Sequence, residues 1–402
     1  MQTASLRQDA RVIGLVGLAH GVSHFFHLIV AGLFPWLKVA FSLSYAQLGL
    51  LMTVFFVVSG IGQALAGFIV DRVGAHRVYF TGVALLGVSA LVLSSATSYA
   101  LLLLGSVVAG CGNSVFHPAG YTLLNQRVSK ARLAHAFSVH GISGSLGWAA
   151  APAFLAGVAM LSDWRTALLA ASAIPFAVLI LLLANRAALR ADPVPAKSAA
   201  GAPGSAFGFL RLAPVWMCFA FFFLSSVALG GIQSFASTSL VALYGISLAT
   251  ATTAYTTYML ASAGGMLAGG FLATRRSNHD RTVAACFGAA ALMALVLASR
   301  AAPASLVLVL MGAIGFSTGV AGPSRDLLIR AAAPANATGR VFGVVYSGLD
   351  SGMACGPLLF GAMMDDGHPS WVFFCIALFQ TLAIATAFGA GTSSRAPVLT
   401  KA

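Results

Sequence analysis

Long apolar stretches, each closed by a short polar knot, recur along the whole chain. They run near 12–36, 46–70, 78–95, 99–124, 134–161, 165–185, 212–240, 248–273, 282–299, 304–329, 340–364 and 370–390. Each approaches or exceeds the roughly 20 residues with which an α-helix crosses a bilayer. The pattern predicts twelve spans. Its one long interruption, residues 186–211, is rich in Ala, Pro, Gly, Ser and basic residues and reads as a flexible linker. The predicted organisation is an N-terminal six-helix half (1–185), a linker (186–211) and a C-terminal six-helix half (212–402).

Composition agrees with this reading. Only 8% of residues are charged and 59% are hydrophobic, with a mean hydropathy of +0.92. A soluble domain carries about 25% charged residues, so a water-soluble fold is excluded. The formal charge of +13 does not signal nucleic acid, because the charges lie between the apolar stretches. Eighteen of the 22 Lys and Arg fall in loops on one side. Lys38, Arg165 and Arg300 fall on the other, and Arg325 sits inside a span. The basic side faces the cytoplasm, which predicts a multi-pass protein of a bacterial-type inner membrane with both termini cytoplasmic. The five Cys all fall in apolar stretches and imply no disulfide framework.

The most informative polar knot is GFIVDRVGAHR, residues 67–77. It is expected to be a tight loop between the second and third spans. Gly67 would let the helices approach closely, Gly74 would permit a sharp reversal, and Asp71 would cap a helix or pair with an Arg. The spacing Gly67, Asp71, Arg72, Gly74, Arg77 resembles the loop signature of the major facilitator superfamily, the twelve-helix secondary transporters. The fold that this resemblance implies is an all-α membrane protein. Its twelve transmembrane helices form two parallel six-helix repeats, with a substrate site between the halves.

An internal repeat supports the same architecture. Ser44, Ala46, Gly62, Gly67 and Phe68 meet Ser247, Ala249, Gly265, Gly270 and Phe271 at a constant offset of 203. Pro118, Phe137, Gly147 and Pro152 meet Pro323, Phe342, Gly352 and Pro357 at an offset of 205. The second copy of the loop signature is degraded, with Thr274 where Asp71 maps.

Polar groups inside spans cost energy and persist where they face a cavity or a partner. His20, His24 and His27 fall on one helical stripe about 60° wide; His117 and His140 lie on the fourth and fifth spans. Each has a bland alternative, an imidazole satisfied by a nearby carbonyl or hydroxyl. Arg325 suits a carboxylate or phosphonate, or else serves as a latch near the helix end. Adjacent Asp326 points about 100° away. Asp350 lies deep in the eleventh span and is the expected proton-linked acid, or a static partner of Arg325. Gln63, Asn113, Gln233, Tyr255 and Tyr258 add hydrogen-bonding capacity.

The segments NSVFHPAGY (113–121) and AFSVHGISGSLG (136–147) are similar to the fosmidomycin-resistance-type branch of the superfamily. That resemblance implies proton-driven export of a small anion across the inner membrane, with His117 and Pro118 as a cavity-side element. Gly144 and Gly147 are followed by Trp148 and Ala149, not by the Gly-Pro common in drug antiporters, which leaves uptake open. The expectation is a monomeric proton-coupled transporter of a small organic anion or anionic antimicrobial, in the efflux direction. The alternatives are an uptake carrier for a small carboxylate and a transition-metal carrier using the intramembrane histidines. No M-x-x-M cluster accompanies the histidines, so no metal site is assigned. No cofactor or nucleic-acid partner is expected. No nucleotide loop or hydrolase or metalloprotease spacing supports an enzyme.

Overall fold

Each predicted apolar stretch is a helix, and two of them are broken near a proline. The computed structural model describes residues 6–190, 211, 213–275, 278–332 and 338–395, and every regular element among them is helical. Nine helices are long and apolar enough to cross a membrane, or ten if one bent pair counts as a single span, among the described residues. The chain divides into two compact units, residues 1–200 and 201–402.

The first unit begins with α1 (Leu6–His27), a short 3-10 turn at Ala31–Leu33, and α2 (Phe34–Phe41). The span expected at 12–36 is therefore a pair bent by 49°. Pro35 sits in the first turn of α2, where its missing N–H is harmless. Next come α3 (Tyr45–Val73) and α4 (Ala75–Ser94). The fourth span is α5 (Tyr99–Asn113) followed by α6 (Phe116–Arg127). Pro118 cannot donate to the carbonyl four residues back, and the helix re-forms just ahead of it. The unit closes with α7 (Leu133–Leu161), α8 (Trp164–Ala184) and α9 (Arg186–Leu189). Of the predicted linker, 186–189 is thus helical, and 191–210 lies outside the described residues.

The second unit holds α10 (Ala213–Tyr244), α11 (Leu248–Arg275), α12 (His279–Ala298), α13 (Val307–Ala332), α14 (Thr338–Asp365) and α15 (Pro369–Arg395).

Repeat mates do the same physical work in both units. Ser44 caps α3 by accepting from the Gln47 amide at 3.1 Å, and its mate Ser247 accepts from the Thr250 amide at 3.1 Å. A Cβ on Gly147 would be driven into the carbonyl oxygen of Gly21, and one on Gly352 into that of Phe223. α1 meets α7, and α10 meets α14, with backbone against backbone. This is how small residues bring membrane helices together. A Cβ on Gly62 would lie 2.7 Å from Ser114 Cβ, and one on Gly265 would enter the Phe316 carbonyl. A Cβ on Gly67 or on its mate Gly270 would meet nothing within 4 Å. The close approach expected at Gly67 therefore sits five residues earlier, at Gly62.

Candidate functional site

The histidines that lie far apart in sequence converge in the first unit. The helical stripe on α1 carries His20, His24 and His27. The break ahead of Pro118 places His117 in the first turn of α6. Gly144 lets α7 close over α1: a Cβ there would fall 2.7 Å from His24 Cε1 and 3.0 Å from His20 Cε1. The result is a packed set of imidazoles. His20 stacks on His140 with centroids 3.5 Å apart, and His24 stacks on His27 at 4.6 Å. His20 and His24 are 4.3 Å apart, and His117 lies 5.4 Å from His20 and 6.1 Å from His140. Tyr121 and Trp148 flank the set at 5.0 Å from His140 and 4.4 Å from His24.

His27 is the satisfied member. Its Nδ1 accepts from the Trp148 indole at 3.2 Å, so its proton is on Nε2, which donates to Asn113 Oδ1 at 3.0 Å. Asn113 then donates to Ser59 Oγ at 2.8 Å. His20 is half satisfied: its Nδ1 donates to the His140 carbonyl at 2.8 Å. His20 Nε2 and both ring nitrogens of His24 and His140 are buried with no hydrogen-bond partner. Buried polar atoms are ordinarily paired, so five such nitrogens in one cluster mark it as the candidate site.

The second unit holds different chemistry at the corresponding places. Since Gly147 meets Gly21 where Gly352 meets Phe223, His20 maps to Phe222; at the offset of 205, His140 maps to Val345. Phe222 and Val345 are buried in an apolar core with Phe221, Val283 and Phe287. Arg325 is half-buried, its guanidinium 4.6 Å from the centre of the Phe222 ring. Asp350 is half-buried on α14. The side chain of Asp326 lies outside the described residues. Gln233 is buried with neither amide atom hydrogen-bonded, and the Tyr255 hydroxyl is in the same position. Tyr258 is 3.5 Å from Thr318 Oγ1.

The model of the Major Facilitator Superfamily matches residues 16–313 and 237–399. The chain belongs to the Major Facilitator Superfamily. It is a multi-pass membrane protein. The Escherichia coli (strain K12) fosmidomycin resistance protein is 25% identical over 150 residues, 37% of each chain. A Bacillus subtilis arabinose-proton symporter is 25% identical over 138 residues, 33% of this chain and 29% of its own. The chain thus spans about a third of the length of the curated relatives it matches. In fold it is similar to a bacterial homologue of the human lysosomal transporter Spinster, solved in an inward-facing and occupied conformation. That likeness has a TM-score of 0.78 at 16% identity and covers 97% of this chain and 98% of that one.

The superfamily's loop signature is more compact than the sequence suggested. Residues 67–73 belong to α3, α4 begins at Ala75, and the connection is Gly74 alone, at φ 94° and ψ 137°. Only glycine adopts that backbone freely, so the break between α3 and α4 uses the conformational freedom expected of Gly74. Asp71 and Arg72 are exposed on the last turn of α3. The residue ahead of α4 is Gly74, which has no side chain, and Asp71 lies in the last turn of α3 rather than at a helix start.

Other residues that hold the site together were not singled out in the sequence. Ser59 and Trp148 complete the His27 chain. Asp9, fully buried, accepts from Arg132 Nε at 2.7 Å and Ser129 Oγ at 2.6 Å, tying α1 to the turn before α7. An Asp and an Arg 123 residues apart carry no local signal. Trp148 was legible only as a departure from a glycine motif.

Proposed function

We propose that this chain is a proton-coupled transporter of a small organic anion in a bacterial-type inner membrane, with both termini cytoplasmic. It would act as a single chain, through alternating access. The observation that carries the reading is the five-imidazole cluster of α1, α6 and α7, whose hydrogen bonds and ring contacts include no carboxylate among the described residues. A proton taken up there leaves a net positive charge inside the membrane, which is costly unless an anion joins it. Arg325 supplies a second, permanent positive charge suited to carboxylate or phosphonate. Asp350 is the acid assigned to proton movement.

Two directions follow from two observations. Likeness to the fosmidomycin resistance protein supports efflux. The cluster itself favours uptake of a small carboxylate, because proton and anion binding that strengthen each other carry both the same way.

The test is flux in proteoliposomes under an imposed pH gradient, with fosmidomycin and a panel of carboxylates and phosphonates. Anion movement that follows the protons selects uptake, and movement against them selects efflux. Flux indifferent to the gradient, or selective for a cation, overturns the reading.

A further inference from the structure

We infer that His20, His117 and His140 form a binding site for one divalent transition-metal ion of the zinc class, inside the first unit. One ring nitrogen from each of the three lies within 4.8 Å of the other two. The three residues come from α1, α6 and α7, so only the folded unit brings them together.

Three features mark this as more than proximity. The first is the tautomer of His20. Its Nδ1 donates to the His140 carbonyl at 2.8 Å, which leaves the lone pair on Nε2. A histidine that ligates a metal characteristically gives its other N–H to a carbonyl or carboxylate, which fixes the ring and raises its basicity. The second is that His20 Nε2 and both nitrogens of His140 are buried and unpartnered. The third is the donor set. Imidazole nitrogen alone, with neither thiolate nor carboxylate, suits zinc, copper, nickel or cobalt, and not magnesium or calcium.

Zn–N bonds are about 2.0–2.1 Å, which sets ligand atoms about 3.3 Å apart around a tetrahedral ion. The three nitrogens must therefore draw together. His20 and His140 are stacked nearly parallel, at 19°, so one ring must tilt for both to point at a shared ion. Three protein ligands leave the fourth position open to water or to an anion.

The site rests on this geometry alone, so the absence of any proton-coupled flux would leave it standing. The experiment uses full-length protein in detergent, free of any affinity tag. Zn2+ binding is measured by calorimetry, and Co2+ binding by visible absorption. One ion per chain is expected, with the intense bands of a tetrahedral Co2+ centre. His20→Ala, His117→Ala and His140→Ala should each weaken Zn2+ binding by about tenfold or more, while exposed His135→Ala should leave it unchanged. The weak spectrum of octahedral Co2+ in the wild-type protein overturns the site whatever the variants do. So does a well-folded wild type that binds no Zn2+, or a triple variant that binds it undiminished.

Discussion

Trp148 fixes the tautomer of His27. The indole can only donate, so at 3.2 Å it claims Nδ1 as an acceptor and leaves the imidazole proton on Nε2 for Asn113. His27 is thereby a buttress of the cluster, while His20, His24 and His140 keep unspent nitrogens.

Trp148→Phe keeps the ring and removes the donor. It should lower unfolding stability by about 1 kcal/mol, the net worth of a hydrogen bond. His27→Ala and Asn113→Ala, combined in a double-mutant cycle, should couple by roughly 0.5 kcal/mol or more. Thermal unfolding of the purified variants checks both values. Additive effects would detach Asn113 from His27.

The glycines divide by what an added methyl meets. Gly147→Ala and Gly352→Ala force a Cβ against a neighbouring helix's backbone and should cost about 1–3 kcal/mol. Gly67→Ala and Gly270→Ala face open space and gain the helix propensity of Ala, so they should be neutral or stabilising. Melting temperatures of the four variants decide it. A destabilised Gly67→Ala would restore the close approach expected from the sequence.

Asp163 caps α8. The Thr166 amide, together with the Thr166 hydroxyl and the Arg165 amide, holds its carboxyl below the ordinary value of 3.8. The folded value is depressed, so the stabilisation is fully present above pH 3.8 and is lost as pH falls through the lowered value. Asp163→Asn should therefore narrow its stability gap to wild type only in acid, below pH 3.8. Unfolding midpoints measured across pH test the sign. A gap that widens in acid contradicts it.

Arg325 and Asp350 are the transport variants. Losing a buried partner charge costs ~2–5 kcal/mol; Arg325 is half-buried, so Arg325→Gln should cost the lower end of that range and weaken anion binding roughly thirty-fold. Asp350→Asn should abolish accumulation driven by a pH gradient and spare substrate exchange. Binding assays on the first and counterflow in liposomes on the second check these outcomes. Unchanged gradient-driven accumulation in Asp350→Asn would move proton coupling to the imidazoles.

Length and apolarity made the fold readable, because membrane helices declare themselves by both. The stripe of His20, His24 and His27 was equally legible, since those residues share one helix. The seating of His140 over His20 was not. It depends on Gly144 and Gly147 removing the side chains between α1 and α7, and a glycine's neighbours are not written beside it. The break before His117 follows from Pro118, but its mate Pro323 sits within the continuous helix α13. The same residue thus has two outcomes, set by tertiary context. In the second unit, Phe222 and Val345 replace two of the imidazoles, a difference that emerges only once the crossing glycines align the helices.

Gly74 is the whole connection between two membrane-length helices. A longer loop would let α3 and α4 swing independently, whereas one residue leaves two torsions between them. Any change in their mutual angle must be taken up by φ and ψ of Gly74 or by bending a helix. In whatever states the protein visits, α3 and α4 therefore move together unless that single joint turns or a helix bends. The charges of Asp71, Arg72 and Arg77 ride on its knuckle.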